Sequence, residues 1–369
     1  MKYIIGAVLC LILLPVFPAI RAEAAESAYS QLTSADLPLP ESVRAELSDS
    51  GITPDDPEAV LTLSPSDLLN SVTNALKREI RSPVRILISL LSVTAVAALL
   101  SGTGSCTSEM QPVFSKICIL IYTGTAAAPL LSSISRAADT LEEGKMLMAG
   151  FIPVYSGFLI AGGSVAGAAS YQLLILFLTE GVMQLTSTVL FPMIRSAAAL
   201  GIADAINPSL KLGEMIQGLR SAVNWIMGTV MALFAALLTV RSFVSAAADS
   251  VGAKTVKLLS SGLIPIVGPA VSEAYGTVSG SIRLVGSGVG AFGILAICLL
   301  VLPPVISVML YRLVFRISRI LADITDTEAL QKLFCSAEQV LSAVLAMLIC
   351  YAVMLIFSTA VMLMLCCKA

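Results

Sequence analysis

Apolar residues in this chain do not alternate with polar ones; they come in long runs separated by short polar stretches. Runs of near-spanning length cover residues 84–100, 113–133, 146–169, 171–194, 222–240, 286–310 and 340–365. About 20 apolar residues carry an α-helix across the hydrocarbon core of a bilayer, so these seven runs predict seven membrane helices. An eighth, 258–278, is apolar but interrupted by Pro265, Gly268 and Pro269, and it carries Glu273. It predicts either a further crossing or a segment that re-enters the side it came from. The expected fold is all-α: a polytopic transmembrane helix bundle of seven to eight spans occupying residues 83–369.

What precedes the bundle is patterned differently. Residues 1–24 have the layout of a secretory signal: Lys2, an apolar core from Ile4 to Val16, and the small-x-small site Ala22-Glu23-Ala24. An uncleaved first helix is the other reading of the same stretch. Residues 25–82 are polar, acidic and proline-bearing, as expected of an exported, helical or partly disordered segment. Within it, Asp67 to Ile80 predicts an amphipathic helix capped by Ser64 or Ser66.

The long runs contain an internal echo. Residues 145–154 read KMLMAGFIPV and residues 257–266 read KLLSSGLIPI, and each is followed by a Gly-, Ala- and Ser-rich stretch. The shared positions are Lys145 and Lys257, Gly150 and Gly262, and Pro153 and Pro265, with Pro269 close behind the second copy. The same offset of 112 residues relates repeat units at 113–194 and 222–310. Three crossings per unit would turn the second unit upside down, the inverted plan of many transporters, with Pro/Gly-broken helices near the midplane. Proline removes a helical N–H and glycine loosens the backbone, so such breaks leave polar groups that need a cavity. Kinking of tightly packed helices is an equal alternative.

Composition narrows the function classes. The 369 residues are 57% hydrophobic and only 12% charged, about half the charge of a soluble domain. The formal charge is −2 with no basic block, which speaks against a nucleic-acid partner and for lipid. Histidine is absent, excluding His metal sites and Ser–His or Cys–His nucleophile pairs. The eight cysteines form no CxxC pair and read as small buried hydrophobes. Gly286-Ser287-Gly288 resembles the loop of an intramembrane serine protease, but the histidine such an enzyme needs does not exist here. No phosphate-binding loop or dinucleotide fingerprint occurs, so no catalytic residues, cofactor or metal are expected, and an ATP-driven role needs a separate ATPase.

Three groups remain as candidate sites. Glu180 lies inside LLILFLTEGVMQL with Gln184 one turn later on the same face. A carboxylate in hydrocarbon is costly, so the pair is expected to face the bundle interior or water, as a polar site or a hydrogen-bonded structural element. Glu273 in the broken run has the same two readings. Lys145 and Lys257 either flank an entry route or snorkel to the interface. Arg312, Arg316 and Arg319 recur on one helical face, as a surface-lying or partner-docking face. Trp225 is expected to anchor its helix near the headgroups.

GFIPVYSGFLIAGGSVAGAASYQ, KLLSSGLIPIVGPAVSEAYGTVSGSIRLVGSGVGAFGI and RISRILADITDTEALQKLFCSAEQVLSAVLAMLICYAVM together resemble the stage III sporulation protein AE family. The resemblance runs from Val84 to the C-terminus and rests on apolar motifs, with no catalytic signature behind it. It implies a multi-pass protein of the mother-cell membrane around the forespore, the permease-like member of a multi-subunit channel. Its partners would be a secretion-type ATPase, ring-forming subunits and a forespore protein, and its role to support late forespore gene expression. The alternative function is a stand-alone, ion-coupled secondary transporter of a small solute, using Glu180 or Glu273. Charge distribution alone does not orient the chain cleanly: an exported N-terminus leaves Lys77, Arg78, Arg81 and Arg85 outside, against the positive-inside tendency.

Overall fold

A computed structural model describes residues 43, 44, 47, 65–102, 111–161, 165–207, 212–262, 268–324 and 328–368. The described residues contain no β-strand. Eight helices follow one another: α1 (Pro65–Glu79), α2 (Arg81–Gly102), α3 (Gln111–Ala161), α4 (Val165–Leu185), α5 (Phe191–Ile206), α6 (Gly213–Gly262), α7 (Gly268–Ile324) and α8 (Glu328–Lys368). A single π-turn, Thr186–Leu190, joins α4 to α5. The signal-like residues 1–24 lie outside the described residues, as does Pro265. Of the polar segment before residue 65, Val43 and Leu47 are buried in the main core. The amphipathic stretch expected at 67–80 is α1.

Four stretches are long and apolar enough to cross a membrane among the described residues: Leu173–Ile206, Gly213–Leu237, Gly288–Ala322 and Leu330–Val361. The expected seven to eight crossings are not confirmed among the described residues, where two runs group differently. Runs 113–133 and 146–169 sit largely on one helix, α3, because the intervening ISRAADTLEEGK is rich in helix formers and has no proline to stop it. The run 258–278 straddles the junction of α6 and α7 and is no separate helix. At 51 residues α3 is about 76 Å long, well over the hydrocarbon thickness. Pro153 does not break it; the helix continues to Ala161, just as α7 runs through Pro303 and Pro304. Membrane helices tolerate such prolines where neighbours re-satisfy the freed groups.

The π-turn has a local cause. Pro192, on the first turn of α5, has no N–H to give the carbonyl four residues back, and its ring crowds that carbonyl. The Phe191 N–H instead bonds to the Thr186 carbonyl, five residues away. Ser187 and Thr188 hydroxyls turn back onto the Gln184 carbonyl.

Contacts give the direction of each helix. Arg136 of α3 bonds Ser307 of α7, while the Phe151 ring lies 6.2 Å from Phe292, so α3 and α7 are antiparallel. Tyr122 meets Phe334 at 6.1 Å, and the Tyr351 hydroxyl donates to the Leu141 carbonyl at 3.0 Å, so α8 runs parallel to α3. On α5, Gly201 backs onto Ser336, while Ile194 and Ala197 share a cleft with Val340 and Ala343; α5 is antiparallel to α8. Ile216 lies near Gly201 and Val223 lines the cleft beside Ile194, so α6 reverses α5 and runs with α3 and α8.

Each repeat unit is thus a helical hairpin, α3 with α4–α5 and α6 with α7, and the first helices of both point the same way. The inverted plan expected from the sequence is not confirmed by these directions. Two helices per unit, rather than three crossings, leave the second copy upright.

The core runs through all of these helices, with Tyr122, Phe151, Phe292, Phe315, Phe334 and Tyr351 almost fully buried. In lipid, burying an apolar side chain gains little over leaving it in acyl chains, so close packing carries the association. Two glycines show how close it is. A Cβ on Gly144 would stand 2.8 Å from Tyr351 Cε1, and one on Gly201 would stand 2.5 Å from Ser336 Oγ.

Candidate functional site

The sequence candidates Lys145 and Glu180 meet. Hairpin pairing of α3 with α4 brings Lys145 Nζ within 2.7 Å of Glu180 Oε2. The side chains are 36% and 57% exposed, so of the two expected surroundings for Glu180, bundle interior or water, the pair does not lie in the interior of this chain but on its outer face. Lys145 sits between Arg136 and Phe151, whose partners on α7 are Ser307 and Phe292. The pair is therefore level with GILAICLLVLPPVI, residues 293–306, within one of the four spanning stretches. Around it the α4 surface is apolar: Leu173 and Phe177 are 69% and 77% exposed. Gln184 follows one turn on, also exposed.

The arginine face divides. Arg312 Nε and Arg319 Nη1 reach the two carboxylate oxygens of Glu338 on α8 at 3.9 and 3.1 Å, and only Arg316 of the three is fully on the surface. The Arg319 contact has ion-pair distance, but Glu338 Oε2 receives no aligned hydrogen bond. Glu338 is only 13% exposed, so two arginines around one acid balance a charge the helices have enclosed. The Gln339 amide donates to Cys335 Sγ at 3.4 Å beside them. Cys298, Cys335 and Cys350 are all free thiols.

A second polar knot was not foreseen from the sequence. Arg136 bonds both oxygens of Glu79, Nη2 to Oε1 at 2.8 Å and Nη1 to Oε2 at 3.0 Å, and Nη1 also reaches Ser307 Oγ at 3.2 Å. Nearby, the hydroxyls of Ser82 and Tyr311 lie 2.8 Å apart. These bonds fasten the α1–α2 junction to α3 and α7. The only sequence signal was the placing of Arg136 in a helical stretch between two apolar runs.

The other candidates are not gathered. Lys257 and Gly262 fall on the last turns of α6; Pro269 and Glu273 fall on the first turns of α7. Gly150 and Pro153 lie along α3. Trp225 is 72% exposed on α6. A narrow cleft between α5, α6 and α8, lined by Arg220 and Gln339 among apolar residues, offers about 10 Å³ to water, space for one molecule at most. The arrangement contains paired charges and close-packed helices; what it can do chemically is hold polar groups within an apolar layer.

A family model described as stage III sporulation protein AE matches residues 58–366. A protein of that name from Bacillus subtilis (strain 168) is 22% identical over 261 residues, which is 70% of this chain and 65% of the relative. The chain therefore spans just under two thirds of that relative's length in the match. No solved structure matches.

Proposed function

The chain belongs to the stage III sporulation protein AE family, and from that membership we propose that it is an integral, permease-like subunit of a channel joining mother cell and forespore. It sits in the mother-cell membrane and works with a separate ATPase and ring-forming proteins, supporting late forespore gene expression. It carries out no reaction of its own. The observation that most favours this reading is the bundle itself: four spanning stretches packed side by side around one continuous core. We take α2, α3, α4–α5, α6, α7 and α8 as six crossings, with the C-terminal ends of α3 and α6 at one end of the bundle. That end faces outward, as does the exported N-terminal segment.

The stand-alone transporter reading has less support. An ion-coupling carboxylate must be free to take up and release its ion, and Glu180 is tied to Lys145 on the outer face. Deleting the gene and following a late forespore-specific reporter under starvation tests the proposal. Completed engulfment with a dark reporter and a collapsing forespore is the expected result. Normal spores would sink it, and uptake assays on Glu180→Gln and Glu273→Gln variants would then become the next measurement.

A further inference from the structure

The Lys145–Glu180 pair stands open on the outer face of its own chain. Lipid cannot cover it well: a charge at this depth is costly unless paired, hydrogen-bonded or hydrated. The pairing partly offsets that cost, but both side chains still present more than a third of their surface outward. The exposed Gln184 carboxamide, one turn away, needs a donor and an acceptor that acyl chains do not have.

What would satisfy all three groups is a surface carrying the same groups. A Lys–Glu pair is its own electrostatic complement, and a carboxamide both donates and accepts. Between them Gly181 leaves open space where a side chain would stand, with nothing within 4 Å of the place a methyl group would take. A small residue in the middle of a spanning helix lets a second helix come close.

We propose that this face of α4 is an interface with a second copy of the chain. The two copies insert in the same direction, so their symmetry axis lies along the membrane normal. About that axis the four charges alternate in a ring, each lysine between two carboxylates, and Gln184 faces its counterpart. Phe177 and Leu173 of each copy close the contact on one side. The inference rests on the membrane placement of the bundle and not on the septal role, so either can fail alone.

The test uses two differently tagged full-length chains co-expressed and extracted into lipid nanodiscs. Wild-type copies should co-purify. Lys145→Glu alone or Glu180→Lys alone should lower recovery about tenfold or more, since each sets like charges against one another. Mixing Lys145→Glu copies with Glu180→Lys copies should restore it, because each then supplies what the other lacks. A pairing that acts only within one chain predicts no such restoration. Gly181→Leu keeps the internal ion pair and has room in the isolated chain, so it should fold yet fail to co-purify. Recovery of single-copy nanodiscs for the wild type, or association unchanged by Gly181→Leu and both charge reversals, overturns the proposal.

Discussion

At Gly201 a methyl group would have to push Ser336 aside. Both its Oγ and its Cβ lie within 2.8 Å of where the new carbon would stand. Overpacking of this kind costs about 1–3 kcal/mol, more than the helix propensity that alanine brings. Gly201→Ala should therefore lower the thermal midpoint in detergent, and adding Ser336→Gly should recover most of the loss. Gly218 and Gly228 are helical glycines with nothing within 4 Å of a Cβ. Alanine there should be neutral or stabilising by about 0.5–1 kcal/mol. The same scale shows what sequence could and could not reveal. Glu180 was visible as a charge among apolar residues, but its partner is 35 positions away. The hint lay in symmetry: Lys145 and Glu180 stand seventeen residues before Gly162 and seventeen after Gly163, as the arms of one hairpin would place them. Glu338 carried no such hint, because its partners depend on how α7 and α8 come together.

Among the elements, hydropathy located helices well and their ends poorly. The polar stretch between two apolar runs reads as a loop when only water and lipid are considered. In α3 it stays helical, since arginine, alanine, leucine and glutamate all favour helix and no residue stops it. Hydropathy also says nothing of the direction in which helices pack, which came only from side-chain contacts. One such contact helps to attach α1. The bidentate Glu79–Arg136 pair is half open to the surroundings on the arginine side, 48% against 17% for the acid, which limits its contribution to about 1 kcal/mol or less. Arg136→Gln should leave the bundle folded and speed hydrogen exchange along α1 by up to about fivefold, with α8 amides unchanged. Equal effects on both helices would mean that Arg136 supports the whole core.

For the whole molecule, the helix directions sort the connections into two ends. Joined at one end are α2 with α3, α5 with α6, and α7 with α8; joined at the other are α3 with α4 and α6 with α7. Arg312, Arg316, Arg319 and Lys332 gather at the first. The orientation we propose places that end in the cytoplasm, which suits these four cations though not Lys77, Arg78, Arg81 and Arg85. In a chain freed of its native cysteines, a cysteine at Arg316 should react with a membrane-impermeant thiol reagent only after cells are opened. One at Ala161 should react from outside. The reverse pattern would turn the molecule over.

The upright second hairpin bears on how such a protein could have arisen. An inverted pair of halves requires an ancestor that could insert in either orientation, or a duplication accompanied by a reversal of topology signals. Two hairpins whose first helices point the same way need no such reversal, since a tandem copy of one would thread by the instructions the first already carried. Either half is, in that sense, a module that could be lengthened, shortened or exchanged without renegotiating which way the rest of the chain faces.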